Sequence, residues 1–255
     1  MTDSVTETAE ARLLIDGQYL TPAQCRAHFA TYRFSDHHHQ VLELVEGDTI
    51  VDIGCYTGAL VAEMKRRFPH KTAIGIDYFP DNIRAGHLLY PELGDSLRQM
   101  SVYRLGFDDD SIDCITMLDV IEHLEGAAAA VKEINRVLRP GGVAVIATPN
   151  PFFWRQMGMF FLFEMRNSLY AVLGRKRRMV TQIFFANVEW NRHIYNWTPD
   201  TLLTLFVCNG FDYVEHRYER GNGPIERLFL RLFPFLGGTQ ILKVRKTAPA
   251  PREFV

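Results

Sequence analysis

VDIGCYTGAL, Val51–Leu60, is the stretch on which the fold turns. A short apolar run carrying Asp52 meets two glycines, Gly54 and Gly58, and an amphipathic segment starts directly after them. The reading is strand, glycine turn, helix. Glycine at such a turn lets a ligand approach the backbone. By itself the pattern fits a dinucleotide as well as any other nucleoside-bearing cofactor.

The same rhythm extends on both sides. TIVDIG (49–54) is a buried strand, ALVAEMKRRF (59–68) an amphipathic helix and TAIGID (72–77) a second strand. The second strand ends in Asp77, 25 residues after Asp52, where a carboxylate can accept both hydroxyls of a ribose. PDNIRAGHLLY (80–90) opens with a proline suited to a first helical turn. A third strand is expected near 99–103, a fourth at SIDCITML (111–118) and a fifth at GVAVIATP (142–149), after the helix GAAAAVKEINRVL (126–138) stopped by RPGG. Alternating strands and helices imply a mainly parallel sheet covered on both faces.

Upstream, 1–10 reads as a loose tail and 22–46 as mostly helical, with His37–His39 on a polar face after Ser35 and Asp36. Residues 151–197 are too long for an ordinary connection and read as an aromatic, helical cap with a basic cluster, GRKRR (174–178). TPDTLLTLFVCNG (198–210) then restores a helix, and FDYVEHRY (211–218) and TQILKVRK (239–246) are strands. Between those strands Ile225, Leu228, Phe229 and Leu232 share one helical face. The expected division is 1–46, an N-terminal tail and helical segment; 47–150, the ligand-binding core; 151–197, the cap; and 198–247, completion of the core with a small helical insertion at 222–236.

The chain has 255 residues, 47% of them apolar, enough for one large α/β core. A formal net charge of −2 gives no global field for nucleic acid, which is disfavoured as a partner. Cys25, Cys55, Cys114 and Cys208 are scattered without a CxxC pair, which argues against a disulfide scaffold or structural zinc. The last three read as small buried thiols. MTDSVTETAE does not resemble a secretory leader, so a reducing cytoplasm is the expected compartment. MGMFFLFEM (157–165) is too short for a transmembrane helix and leaves surface contact with lipid open.

VDIGCYTG, IGID, LGFDDDSIDCITMLDVIEHL, INRVLRPGG and ATPN follow one another in an order that resembles class I S-adenosylmethionine-dependent methyltransferases, in their small-molecule branch. The likeness covers most of 48–150, with a weaker pattern to about 245. It implies an α/β, Rossmann-like sheet of seven mainly parallel strands flanked by helices, the last strand antiparallel, with a helical, aromatic cap after strand five. It also implies S-adenosylmethionine as cofactor. Carried over by position, Asp52, Gly54, Cys55 and Gly58 line the turn on the methionine side. Asp77 holds the ribose, with Tyr78 or Phe79 beside the adenine. Backbone near Leu105 and Gly106 flanks the base, and Leu118 and Asp119 end the fourth strand near the methionine portion. Two positions depart from the family: Tyr56, where glycine is frequent, and Ser101, where an acidic residue is common.

A methyl sulfonium is already a strong electrophile, so the protein mainly aligns the acceptor and excludes water. An oxygen acceptor also calls for a base. His193, Asp119 and Asn150 are the residues expected on that side, with Tyr195 and Trp197 as packing residues. The expected activity is methyl transfer to oxygen on a small or lipid-like metabolite. DVIEHL, ATPN and HIYNWT also resemble a metal-binding pattern of small-RNA 2'-O-methyltransferases, and the EH pair resembles quinone-biosynthesis O-methyltransferases. On that alternative Asp119, Glu122, His123 and His193 carry a divalent ion. The preferred expectation is no metal, with Glu122 and His123 as the polar start of a helix. A non-catalytic cofactor-binding regulator or partner subunit is a further alternative. An NAD dehydrogenase is disfavoured by LRPGG and VIEHL together.

Overall fold

The computed structural model describes residues 12–173, 193–221 and 223–250. Its centre is a seven-stranded sheet in the order β5-β4-β3-β6-β7-β9-β8. In chain order the strands are β3 (Thr49–Ile53), β4 (Thr72–Asp77), β5 (Leu97–Gln99), β6 (Ile112–Leu118), β7 (Leu138–Pro149), β8 (Phe211–Tyr218) and β9 (Thr239–Lys246). β9 runs antiparallel to both neighbours, β7 and β8, while the remaining pairs are parallel. The expected sheet, with its antiparallel last strand, is therefore observed.

Parallel central strands are covered on both faces, which is why β3 is buried at four consecutive positions. One face packs Ile115, Met117 and Ile146 against Val131 and Ile134 of α5 (Ala127–Val137) and Phe206 of α7 (Pro199–Val207). The other packs Ile50, Cys114 and Val145 against Val41 and Leu42 of α2 (Asp36–Leu44) and Val61 and Met64 of α3 (Ala59–Arg67). Fully burying each large aliphatic side chain contributes about 1.5–3 kcal/mol. The chain leaves β3 toward β4 on one side and reaches β6 on the other. That reversal opens a crevice at the carboxyl ends of the strands.

The N-terminal segment is mostly helical over 22–46, as expected, but in two pieces and with a hairpin ahead of them. A hairpin of β1 (Leu13–Ile15) and β2 (Gln18–Leu20) precedes α1 (Pro22–Phe29), and α2 follows after a break. Asp16 and Gly17 make its two-residue turn with φ 49° and 75°, the geometry that Asp-Gly favours. Thr21 and Gln24 form a reciprocal capping box on α1. A small separate core of Leu13, Ile15, Cys25 and Ala85 joins this segment to α4 (Pro80–Leu89).

Other boundaries also shift. The third strand is 97–99 rather than 99–103, because the chain turns into an isolated bridge between Ser101 and Arg104. Ile121–His123 is a short 3-10 turn ahead of α5, so Glu122 and His123 precede that helix instead of starting it. Cys208 is exposed at the end of α7, contrary to the buried thiol expected. After β7 comes α6 (Trp154–Val172), with Phe160, Phe161 and Leu162 exposed. The basic cluster at 174–178 and much of the expected cap fall outside the described residues. α8 (Pro224–Leu232) likewise exposes Ile225, Leu228 and Leu232. Among the described residues no helix is long and apolar enough to cross a membrane.

Candidate active site

β3 delivers Asp52 to the crevice, and the chain turns through Gly54 into α3. The amides of Gly54 and Cys55 both donate to the Ile76 carbonyl, at 2.8 and 2.9 Å, which pins the turn to β4. Gly54 has φ 73°, and a Cβ there would lie 2.2 Å from Val120 Cγ2. Only glycine fits. Tyr56 has φ 54°, a left-handed conformation that costs a side-chain-bearing residue about 1–2 kcal/mol. Asp119, just past β6, is left-handed too, at φ 53°. Two strained residues thus face one cleft, where such strain tends to gather.

That cleft encloses about 1240 Å³ and is lined by Asp52, Gly54, Cys55, Asp77, Tyr78, Leu118 and Asp119, with Tyr56, Phe79 and Ser101. Asp77 is held at three points. Its Oδ1 accepts from the Phe79 amide at 2.9 Å and Asn82 Nδ2 at 3.1 Å, and its Oδ2 accepts from the Tyr56 amide at 2.9 Å. Burial raises its carboxyl, partly offset by those bonds. Asp52, 3% exposed, accepts the Thr116 hydroxyl at 2.7 Å. Its burial pushes the carboxyl up to about 7 against that bond, with the charge of Asp77 adding to the rise. Asp119 is open to the cleft, yet surrounding protein raises it to about 6, with the Glu219 charge contributing. No lysine or arginine among the described residues lines the cleft. A pyrophosphate would meet these carboxylates there without a lysine or arginine to offset them, whereas a ligand with a sulfonium and an ammonium would relieve their burial.

Beyond Asp119, the segment that begins at His193 runs beside Glu122. The amides of Ile194 and Tyr195 donate to the Glu122 carbonyl at 2.8 and 3.1 Å, which brings His193 against the EH pair. Ligand atoms of Glu122, His123 and His193 lie within 4.8 Å of one another, and the two imidazole centroids are 4.9 Å apart. Glu122 is buried. Its Oε2 accepts from the Thr148 hydroxyl at 2.9 Å, while Oε1 has no hydrogen-bond partner among the described residues. Burial, with the charge of Asp119, raises its carboxyl to about 8. Burial and then His123 lower the pKa of His193. Asp119 is not in this group. Its Oδ2 instead lies 3.7 Å from His37 Nε2. Trp197 donates to the Ile121 carbonyl and Tyr195 to that of Glu125, which anchors the return segment.

Several expected residues lie elsewhere. Gly58 starts α3 at φ 82° behind the cleft wall, where a Cβ would lie 2.7 Å from Leu97. The Leu105 amide donates to Glu133 and its carbonyl accepts from Arg136, while the Gly106 amide points at Met100 sulfur. Those backbone groups are engaged, and Met100, Ser101 and Val102 supply the wall in their place. Cys55 lines the cleft, but its thiol points at Gly75. Asn150 is fully buried and donates to the carbonyls of Phe235 and Gly237, so its amide closes a loop instead of facing an acceptor. Conversely, His37 and His38 are not a solvated polar face. His37 is 9% exposed and His38 lines the cleft beside Tyr32. Burial lowers them to about 4 and about 3. No local signal in the sequence marks these contacts, which depend on α2 packing beside β7 and β9.

The methyltransferase domain model matches residues 26–216. A ubiquinone biosynthesis O-methyltransferase from Alkalilimnicola ehrlichii is 30% identical over 135 residues, 51% of this chain and 55% of that protein. A demethylmenaquinone methyltransferase from Staphylococcus carnosus is 27% identical over 182 residues, 68% of this chain and 72% of that one. For most of the curated relatives it matches, the chain spans about half their length. A SAM-dependent methyltransferase structure from Methanosarcina mazei superposes with a TM-score of 0.58 at 17% identity, covering 84% of this chain and 99% of that one. The glycine turn, the acidic cleft and the domain match agree, and the chain belongs to the methyltransferase-domain family of class I S-adenosylmethionine-dependent enzymes.

Proposed function

We infer that this protein transfers the methyl group of S-adenosylmethionine to an oxygen of a small or lipid-like metabolite. The acidic cleft carries this reading: Asp52, Asp77 and Asp119 surround a glycine turn with no lysine or arginine lining it among the described residues. Asp77, held at three points, suits the ribose hydroxyls, and Asp52 and Asp119 suit the positive groups of the methionine portion. When bound, the cofactor supplies an activated methyl group. The chain orients the acceptor, excludes water and takes its proton. His193 suits the last task, because a lowered pKa keeps the ring neutral at pH 7 with a lone pair to offer. The names of two relatives, a ubiquinone biosynthesis O-methyltransferase and a demethylmenaquinone methyltransferase, support a quinone-type ring as acceptor. The exposed apolar faces of α6 and α8 support an acceptor with a greasy tail.

A second reading is metal-assisted transfer, favoured by the grouping of Glu122, His123 and His193 and by the buried Oε1 of Glu122, which has no hydrogen-bond partner among the described residues. An ion there would lower the pKa of an acceptor hydroxyl. Incubation with S-adenosylmethionine and a panel of catechols and hydroquinones, reading S-adenosylhomocysteine by mass spectrometry, tests both. Replacing His193 by alanine should lower turnover by about 10²-fold or more with cofactor affinity unchanged. Loss of turnover in EDTA, restored by a divalent ion, selects the second reading. Methylation confined to nitrogen or carbon acceptors would remove the assignment to oxygen. Cofactor binding without turnover on any acceptor would favour a regulatory subunit.

A further inference from the structure

Tyr56 has three attachments, and they lead to different parts of the molecule. Its amide donates to Asp77 Oδ2 at 2.9 Å, on the cleft side. Its hydroxyl donates to Asp16 Oδ1 at 2.8 Å, in the turn of the N-terminal hairpin. Its ring meets Phe29 of α1 edge-on, with centroids 5.5 Å apart. A glycine would adopt φ 54° without strain but would have none of the links to Asp16 and Phe29.

The segment so attached is a strap across the strand ends. The hairpin lies on α4, where the Leu14 amide donates to Asp81 Oδ2 at 2.9 Å. Beyond α1, Tyr32 and His38 line the cleft, and the Tyr32 hydroxyl lies 3.1 Å from His38 Nε2. His37 then reaches Asp119. The strap therefore meets the cleft at both ends, through Tyr56 beside Asp77 and through Tyr32 beside His38 of α2. Its hairpin end is held by a small core, so one hydrogen bond to a carboxylate is a sizeable part of its attachment.

We propose that Tyr56 is a positioning residue that latches the N-terminal strap, Leu13–Tyr32 ahead of the core-packed α2, over the cofactor cleft, its bond to Asp16 setting how long a bound nucleoside ligand stays. The proposal rests on the cofactor assignment above. A ligand beneath Tyr32 leaves when the strap lifts, and lifting the hairpin end breaks the Tyr56–Asp16 bond.

The test is the dissociation rate of S-adenosylhomocysteine, by stopped-flow displacement, in three variants. Y56F keeps the ring and loses the hydroxyl bond. D16G removes the acceptor and suits the left-handed turn. D16N keeps a neutral acceptor. Y56F and D16G should each release the ligand about tenfold faster, the fold-change of ~1.4 kcal/mol, with association little altered. D16N should recover much of the retention, and amide exchange at 13–20 should rise in the first two variants. Dissociation within twofold of the wild type in both Y56F and D16G overturns the latch, even where melting temperature or exchange shifts, because a packing role moves only those. A wild-type protein that binds no S-adenosylhomocysteine sinks the cofactor assignment and the latch with it.

Discussion

Binding of S-adenosylmethionine should depend on pH through Asp52. In the free protein its carboxyl is raised to about 7, chiefly by burial. A cationic ligand prefers the carboxylate, so it selects molecules that have released that proton. About three quarters of the molecules are ready at pH 7.5 and about one in thirty at pH 5.5. Affinity should therefore fall about 25-fold over that range, or ~1.9 kcal/mol. The range is chosen because the ligand's own amine stays largely protonated within it. Asp119, raised to about 6, steepens the fall at the acid end. Isothermal titration at each pH in two buffers of different ionisation enthalpy measures both affinity and protons released. Roughly one proton per ligand should leave at pH 6, and far fewer at pH 7.5. Replacing Asp52 by asparagine keeps an acceptor for the Thr116 hydroxyl and removes most of the slope. Equal affinity at pH 5.5 and 7.5, with no proton release, would refute the view that these carboxylates receive the cofactor's positive charge.

Without ligand, the same groups act on stability in the opposite sense. Asp52 in the folded chain keeps a proton that the unfolded chain loses near pH 4, so stability should fall as pH rises from about 4 to 7. Melts at pH 5 and 7.5 check this, and D52N should narrow the difference. Gly54→Ala places a methyl 2.2 Å from Val120 Cγ2, which should abolish cofactor-induced thermal stabilisation, with partial recovery in the G54A/V120A pair. Asn150→Ala leaves the carbonyls of Phe235 and Gly237 without their donor. It should destabilise the fold by about 1–3 kcal/mol in urea unfolding while leaving cofactor affinity intact.

The strands were readable because burial writes itself locally. TQILKVRK is β9 from end to end, and FDYVEHRY is β8. The Asp16-Gly17 turn was also written locally, between Leu13–Ile15 and Gln18–Leu20, but its strands of three residues are too short for periodicity to mark. Leu105 and Gly106 show a different limit. Their position in the family pattern points to the base, but Glu133 and Arg136, a turn apart on α5, engage the Leu105 backbone. The meeting of His193 with Glu122 rests on hydrogen bonds between residues 72 and 73 positions apart, Ile194 and Tyr195 to the Glu122 carbonyl. Such pairings are decided by packing and are invisible to local pattern. The same holds for His37, which reads as a solvated histidine until α2 is laid beside the strand ends.

The strand order also constrains when the sheet can form. Among the described residues β8 pairs only with β9, and β7 uses β9 as its outer neighbour. During synthesis β7 is therefore made about ninety residues before its outer partner, and β8 emerges with nowhere to dock. Until β9 inserts, Phe211 of β8 and the β7 edge at Val145 and Ile146 lack their strand cover. A nascent chain at this stage offers an open edge to other chains. Insertion of β9 is consequently the step that closes this edge.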